Sequence, residues 1–141
     1  MLKINPYLNF NGNTEEAFNF YKSVFGGEFS SLMRYKDMPQ GEEKMPGDEA
    51  ERIMHISLPI GNNAVLMGSD ISEARGMTLV VGNNNYISLA PDSVEEGQRL
   101  FNELSAGGKI EMPFAKMFWG DYFASFADKY GVLWMVNVAG E

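Results

Sequence analysis

Two segments of the chain share one outline at a fixed spacing. His55-Ile-Ser-Leu-Pro-Ile-Gly-Asn-Asn-Ala-Val-Leu-Met67 and Tyr122-Phe-Ala-Ser-Phe-Ala-Asp-Lys-Tyr-Gly-Val-Leu-Trp134 align at a constant offset of 67 residues, and each reads as two strands about a short glycine-bearing turn. The later copy is the clearer: strands over Gly120–Ala127 and Val132–Val138 meet at Asp128-Lys129-Tyr130-Gly131, where Gly131 can take the positive φ of a tight turn. The openings repeat as well. Tyr7-Leu-Asn-Phe-Asn11 recurs as Tyr86-Ile-Ser-Leu-Ala90. The apolar stripe Ala17, Phe20, Tyr21 and Val24 recurs as Gly97, Leu100, Phe101 and Leu104, and each copy ends in a double glycine, Gly26-Gly27 and Gly107-Gly108. Asn13 with Glu16, and Ser93 with Glu96, have the layout of a capping box at the start of each helix. Strands over Leu2–Phe10, Glu28–Tyr35 and Lys109–Phe114 complete the pattern. The chain thus writes strand, helix, three strands twice, which predicts an α+β fold of two βαβββ modules, about residues 1–68 and 84–141. Modules of this size are too long for solenoid repeats and too short to stand alone, so one domain over 1–141 with a shared concave surface is expected.

The segments between are less regular. Lys36–Glu51 reads as a polar loop, and its carboxylates Glu42, Glu43, Asp48, Glu49 and Glu51 read as a solvated face, since nothing fixes them at ligand spacing. In the connector Ser69–Asn85, the apolar run Met77-Thr-Leu-Val-Val81 fits either an added strand or a buried crossover. With 141 residues and 45% hydrophobic content, one core is affordable. A net charge of −8 argues against a phosphate backbone as partner, since that binding depends on clustered Lys and Arg, and no nucleic-acid partner is expected. There is no membrane-spanning run and no signal-peptide layout, so a cytoplasmic protein is expected. The absence of cysteine removes disulfides, thiolate nucleophiles and thiolate metal sites together.

Several ordered stretches resemble one family from end to end: Pro6-Tyr-Leu-Asn-Phe-Asn-Gly12, Glu16-Ala-Phe-Asn-Phe-Tyr21 with Phe25-Gly-Gly27, Met67-Gly-Ser-Asp70, Val94-Glu-Glu-Gly97, Gly108-Lys-Ile-Glu-Met112, Phe118-Trp-Gly120 and Asp128-Lys-Tyr-Gly-Val-Leu-Trp-Met-Val-Asn137. They are similar to the PhnB-like branch of the vicinal oxygen chelate (glyoxalase, bleomycin-resistance and extradiol dioxygenase) superfamily, a branch also described as 3-demethylubiquinone-9 3-methyltransferase-like. The resemblance implies an incomplete eight-stranded barrel and a homodimer. It also implies where a divalent metal would be held. The first-strand ligands fall at Tyr7, or Pro6, and at Tyr86; the last-strand ligands fall at Met135 and Gly68. None is a good ligand, and one histidine without cysteine cannot build a two-His site, so no cofactor is expected and a divalent metal is disfavoured, with a carboxylate-only site left open.

His55 is the sole side chain whose ordinary pKa lies near neutrality. It reads either as a general base or as a half-buried histidine donating to a carbonyl. Asp70 reads as an orienting carboxylate or as part of a turn. Strand parity puts Tyr7 with Asn9 and Tyr86 with Ser88, polar tips for a mostly apolar cavity to which Tyr122 and Trp134 add aromatic walls. The leading expectation is a PhnB-like binding protein for a small organic ligand, without a catalytic metal. The alternative is an enzyme, a glyoxalase-like lyase or isomerase or a dioxygenase type, using His55 as base or a metal site not evident in the sequence. A methyltransferase is disfavoured, since no glycine-rich loop follows a parallel strand.

Overall fold

The structure is a computed structural model and describes residues 2–38 and 47–140. It contains two compact units, residues 1–80 and 81–141, and each carries one four-stranded sheet backed by a helix.

In the first unit the elements are β1 (Tyr7–Phe10), α1 (Thr14–Phe25), β2 (Ser31–Arg34), α2 (Gly47–Glu51), β3 (Ile53–Ile60) and β4 (Ala64–Asp70), with the sheet order β1-β4-β3-β2. β1 lies parallel to β4 with Leu8 opposite Gly68, and β3 runs antiparallel to β4 with Ile56 opposite Gly68. α1 buries Thr14, Ala17, Phe18, Tyr21 and Val24. The expected stripe thus holds except that Phe18 is buried where Phe20 was expected, because the i, i+3, i+4, i+7 set is counted from Thr14. Gly68 permits this packing: a Cβ there would lie 2.7 Å from Phe18 Cε1 and 2.9 Å from the Leu8 carbonyl. The Phe18 ring meets Phe10 and Tyr21 edge-on at 6.4 and 5.5 Å.

The capping box expected at Asn13 does not form; its side chain makes no cap hydrogen bond. The carboxylate of Asp70, at the end of β4 and only 1% exposed, does that work. Its Oδ1 accepts from the Gly12 amide (2.8 Å), the Thr14 amide (3.1 Å) and the Thr14 hydroxyl (2.6 Å), and its Oδ2 accepts from the Ile53 amide (2.9 Å). Asp70 is therefore neither a turn residue nor aimed at the imidazole. It ties the entrance of α1 to β3 and β4.

The second unit comprises β5 (Ile87–Leu89), α3 (Val94–Ser105), β6 (Lys109–Lys116), β7 (Tyr122–Ala127) and β8 (Leu133–Val138), in the sheet order β5-β8-β7-β6. Ser93 Oγ accepts from the Glu96 amide as expected, while the Glu96 carboxylate turns to Arg99. α3 buries Gly97, Leu100, Phe101 and Leu104, the predicted stripe. Gly97 sits where a Cβ would come within 2.6 Å of Val138 and 3.0 Å of Phe114. In the β7–β8 turn Gly131 has φ +87°, and Asp128 Oδ1 accepts from the amides of Tyr130 and Val132.

The two hairpins are not in the register that the constant offset of 67 implies. Ile60 pairs with Ala64 around three residues, whereas Ala127 pairs with Leu133 around five. With Leu8 matched to Ile87, the ladders match Gly68 to Trp134 and Ile56 to Phe126, offsets of 66 and 70. A shift of one residue moves a side chain to the opposite face of a strand.

The connecting segments also differ from expectation. Of the loop over 36–51, residues 39–46, with Glu42 and Glu43, lie outside the described residues. The remainder holds a 3-10 turn at Tyr35–Asp37 and α2, bridged by Lys36 Nζ to Glu51 at 3.0 Å. The run over 77–81 is neither strand nor buried crossover: it belongs to no element, and Val80 is 86% exposed. Among the described residues no helix is long and apolar enough to cross a membrane.

Candidate functional site

Each sheet has one face against its helix and one turned away, and register assigns every candidate to a face. In the first unit Leu66, Gly68, Ile56 and Leu58 lie on the helix side. Tyr7, Asn9, Met67, Ser69, Ser57 and His55 therefore lie on the other, since Tyr7 pairs with Met67, Asn9 with Ser69 and Ser57 with Met67. Tyr7 and His55 meet there. The phenol oxygen is 3.3 Å from His55 Nδ1, and the ring centroids are 5.7 Å apart. When the imidazole carries its proton on Nε2, the Tyr7 hydroxyl donates to Nδ1; in the other tautomer Nδ1–H donates to the phenol and Nε2 offers a free lone pair. Asn9 Oδ1 accepts from the Ser69 hydroxyl at 3.4 Å beside them. Ser57 and Ser69 are small and nearly covered, while Tyr7 is exposed, so this face is a polar floor with an aromatic rim.

The second unit divides the remaining candidates. Tyr86 and Ser88 precede and occupy β5 on the face turned from α3, where Ser88 pairs with Met135 and Met135 with Ser125. Trp134 is on the opposite face: it is 0% exposed, in the core beneath α3, and its indole N–H donates to Asp128 Oδ2 at 2.9 Å. Tyr122 follows it. Paired with Val138, it stacks on Phe114 at 5.7 Å, and Phe114 in turn faces Phe101 of α3. Neither Trp134 nor Tyr122 shares a face with Ser88, a correction that follows from the five-residue turn in the second hairpin. Phe118 and Trp119 pack edge-on at 4.9 Å in the β6–β7 connection, with Phe118 98% exposed.

One participant was missed. The Tyr86 hydroxyl donates to Glu111 Oε1 at 2.7 Å, and this bond holds the phenol's pKa above its ordinary value. Glu111 lies in β6 between Ile110, which pairs with Phe126, and Met112, which pairs with Ser125, so it is the extra residue of a β-bulge. The sequence signals a strand there but not the bulge that redirects the carboxylate.

The metal positions implied by the resemblance carry a phenol at Tyr7, a phenol at Tyr86 and a thioether at Met135. The corrected register matches Met135 to Ser69 rather than Gly68. Phenols, a hydroxyl and a thioether are not the His and carboxylate donors that a divalent ion of this fold requires, so these residues do not fit such an ion. Among the described residues no three His, Cys, Asp or Glu side chains converge into a possible metal cluster.

Paired βαβββ modules with a helix behind each sheet define a class of α+β proteins, and comparison with known proteins identifies it. The description of the Glyoxalase/Bleomycin resistance protein/Dioxygenase superfamily matches residues 3–136, and the chain belongs to that superfamily. It is 33% identical over 140 residues to Protein YjdN of Escherichia coli K12, covering 97% of this chain and 95% of that protein. Among solved structures, it resembles protein PA1353 of Pseudomonas aeruginosa, with TM-score 0.86, 39% identity and full coverage of both chains. It also resembles the PhnB protein of Bacillus cereus, which carries a 3-demethylubiquinone-9 3-methyltransferase name, with TM-score 0.74, 28% identity and coverage of 98% and 100%.

Proposed function

We propose that the protein binds a small aromatic or amphipathic organic molecule, as a PhnB-like member of its superfamily, without a catalytic metal and as a homodimer. The observation that carries this reading is the open face of the first sheet. Tyr7, Asn9, His55 and Ser69 lie together there as hydrogen-bonding groups beside the Met67 thioether, a surface suited to an organic ligand's ring and polar edge. The fit of the superfamily positions to a metal is poor for the reasons given above.

The test is elemental analysis of the purified protein, followed by thermal-shift measurements with nickel, zinc and manganese. Substoichiometric metal and shifts below about 1 °C are expected; stoichiometric metal, or stabilisation of several degrees by one ion, overturns the reading. Light scattering at micromolar concentration is expected to give a dimer mass, and a monomer mass refutes that part.

A second reading, a lyase or isomerase with His55 as base, is favoured by the 3.3 Å contact to Tyr7. It needs the tautomer in which Nδ1–H donates to the phenol and Nε2 takes the substrate proton. Under it, His55→Gln abolishes turnover, whereas the binding reading expects only altered affinity. A methyltransferase is not supported: both sheets are small and mixed, with one parallel pair each, unlike the doubly wound sheet that a dinucleotide-type cofactor fold uses.

A further inference from the structure

β5 and β6 are the two outer strands of the second sheet, separated by β8 and β7. Three strand spacings come to about 14 Å in a flat sheet, yet Tyr86 beside β5 and Glu111 on β6 are in hydrogen-bond contact at 2.7 Å. The two side chains therefore reach toward each other over the face turned from α3, and the sheet beneath them is curved. The floor under this arch carries Ser88, Met135 and Ser125 in one row across β5, β8 and β7, with Met112 opposite Ser125 on β6. The β-bulge at Glu111 is what aims the carboxylate inward, and bulges recur where a strand must redirect a side chain.

Among the described residues no lysine or arginine forms an ion pair with Glu111. Among the described residues its hydrogen-bond partner is the Tyr86 phenol. A carboxylate held by a tyrosine and set over two thioethers and two hydroxyls offers a cation three things at once: a counter-charge, a π face and a polarizable floor. We infer that the open face of the second sheet is a subsite for the ammonium group of an organic amine, with Glu111 as its counter-ion and the Tyr86 ring beside it. This deepens the binding reading, on which it rests, by giving the ligand a positive charge. In the first unit the matching tyrosine, Tyr7, meets His55 instead of a carboxylate, so the two modules keep the phenol and differ in the charge of its partner.

The test uses the full chain and four matched probes: benzylamine, benzyltrimethylammonium, benzyl alcohol and benzoate, titrated against ¹⁵N-labelled protein at low salt. Both cations are expected to bind about tenfold or more tighter than benzyl alcohol, benzoate more weakly still, with the largest shifts at residues 86–89 and 110–113. Glu111→Gln, an exposed and isosteric change, should erase the cation preference while leaving benzyl alcohol binding intact. Tyr86→Phe should retain it at reduced strength. Equal affinity for amine and alcohol, or a preference that survives Glu111→Gln, overturns the inference. Benzyl alcohol binding without charge preference would leave the binding reading standing, whereas stoichiometric metal would remove that reading whatever the probes show.

Discussion

Replacing Asp70 by alanine should be among the most damaging single substitutions in the first unit. The carboxylate serves four donors: the Gly12 amide, the Thr14 amide and hydroxyl, and the Ile53 amide. After truncation the Thr14 hydroxyl can rotate and the exposed Gly12 can reach water, which leaves the amides of Thr14 and Ile53 orphaned in the interior. Thr14 is 0% exposed and Ile53 1%. A buried unsatisfied donor costs about 1–3 kcal/mol, so the loss from two is about 3–5 kcal/mol, roughly a fifth or more of the stability of an ordinary domain. With an m-value near 2 kcal/mol/M, the urea midpoint should fall by about 2 M at unchanged m. Asp70→Asn should cost somewhat less, about 2–4 kcal/mol. Its carbonyl can keep the Gly12–Thr14 cluster, but its amide nitrogen then confronts the Ile53 N–H. A cycle with Thr14→Val isolates the shared term, and that substitution should cost less in the Asp70→Ala background than in the wild type. A loss below about 1 kcal/mol for Asp70→Ala, or strict additivity in the cycle, would refute the reasoning.

Other perturbations test other contacts. Gly68→Ala inserts a methyl 2.7 Å from the Phe18 ring and 2.9 Å from a backbone oxygen, so it should destabilise by about 1–3 kcal/mol, with partial recovery when Phe18→Leu is added; urea unfolding of the single and double variants checks this. The Arg34 guanidinium, bonded to both oxygens of Glu15, holds that carboxyl below its ordinary 4.5. A depressed carboxyl contributes stability above its unfolded value and loses it as acid titrates the folded form. The gap between wild type and Glu15→Gln should thus be present at pH 6 and close below about pH 4; screening at this half-exposed pair keeps it under about 1 kcal/mol, and a gap that widens in acid contradicts the assignment.

What could be read from the sequence was what short-range chemistry dictates. The helix stripe of α3, its Ser93 cap, the Gly131 turn and the double βαβββ order all follow from residues within a few positions of one another. The failures share a different cause. Asp70 reaches donors 56 and 58 positions away, so no local pattern marks it as the cap of α1 or displaces Asn13 from that role. The likeness of His55–Met67 to Tyr122–Trp134 is real in composition, but two more residues in the second turn shift one strand against the other. That shift places Trp134 and Tyr122 toward α3 and away from Ser88. Glu111 was passed over because a bulge has no signature in an isolated strand. The run over 77–81, apolar enough to suggest burial, lies exposed and belongs to no element. The shared face of Tyr7 and Asn9 was legible because simple alternation suffices along one strand, whereas no local pattern marks the meeting of Tyr7 with His55, 48 positions away.

The position of Asp70 also orders events during synthesis. A nascent chain emerging from the ribosome presents all of α1 more than forty residues before the carboxylate that completes its first turn. Until β4 follows, the helix has its apolar stripe but neither its Gly68 groove nor its cap, so it is held mainly by intrinsic propensity, which is marginal at twelve residues. The ordering of α1 during synthesis is therefore gated by the arrival of one late aspartate, and in the full chain Asp70→Ala should expose Phe18 and Tyr21 to protease that the wild type resists.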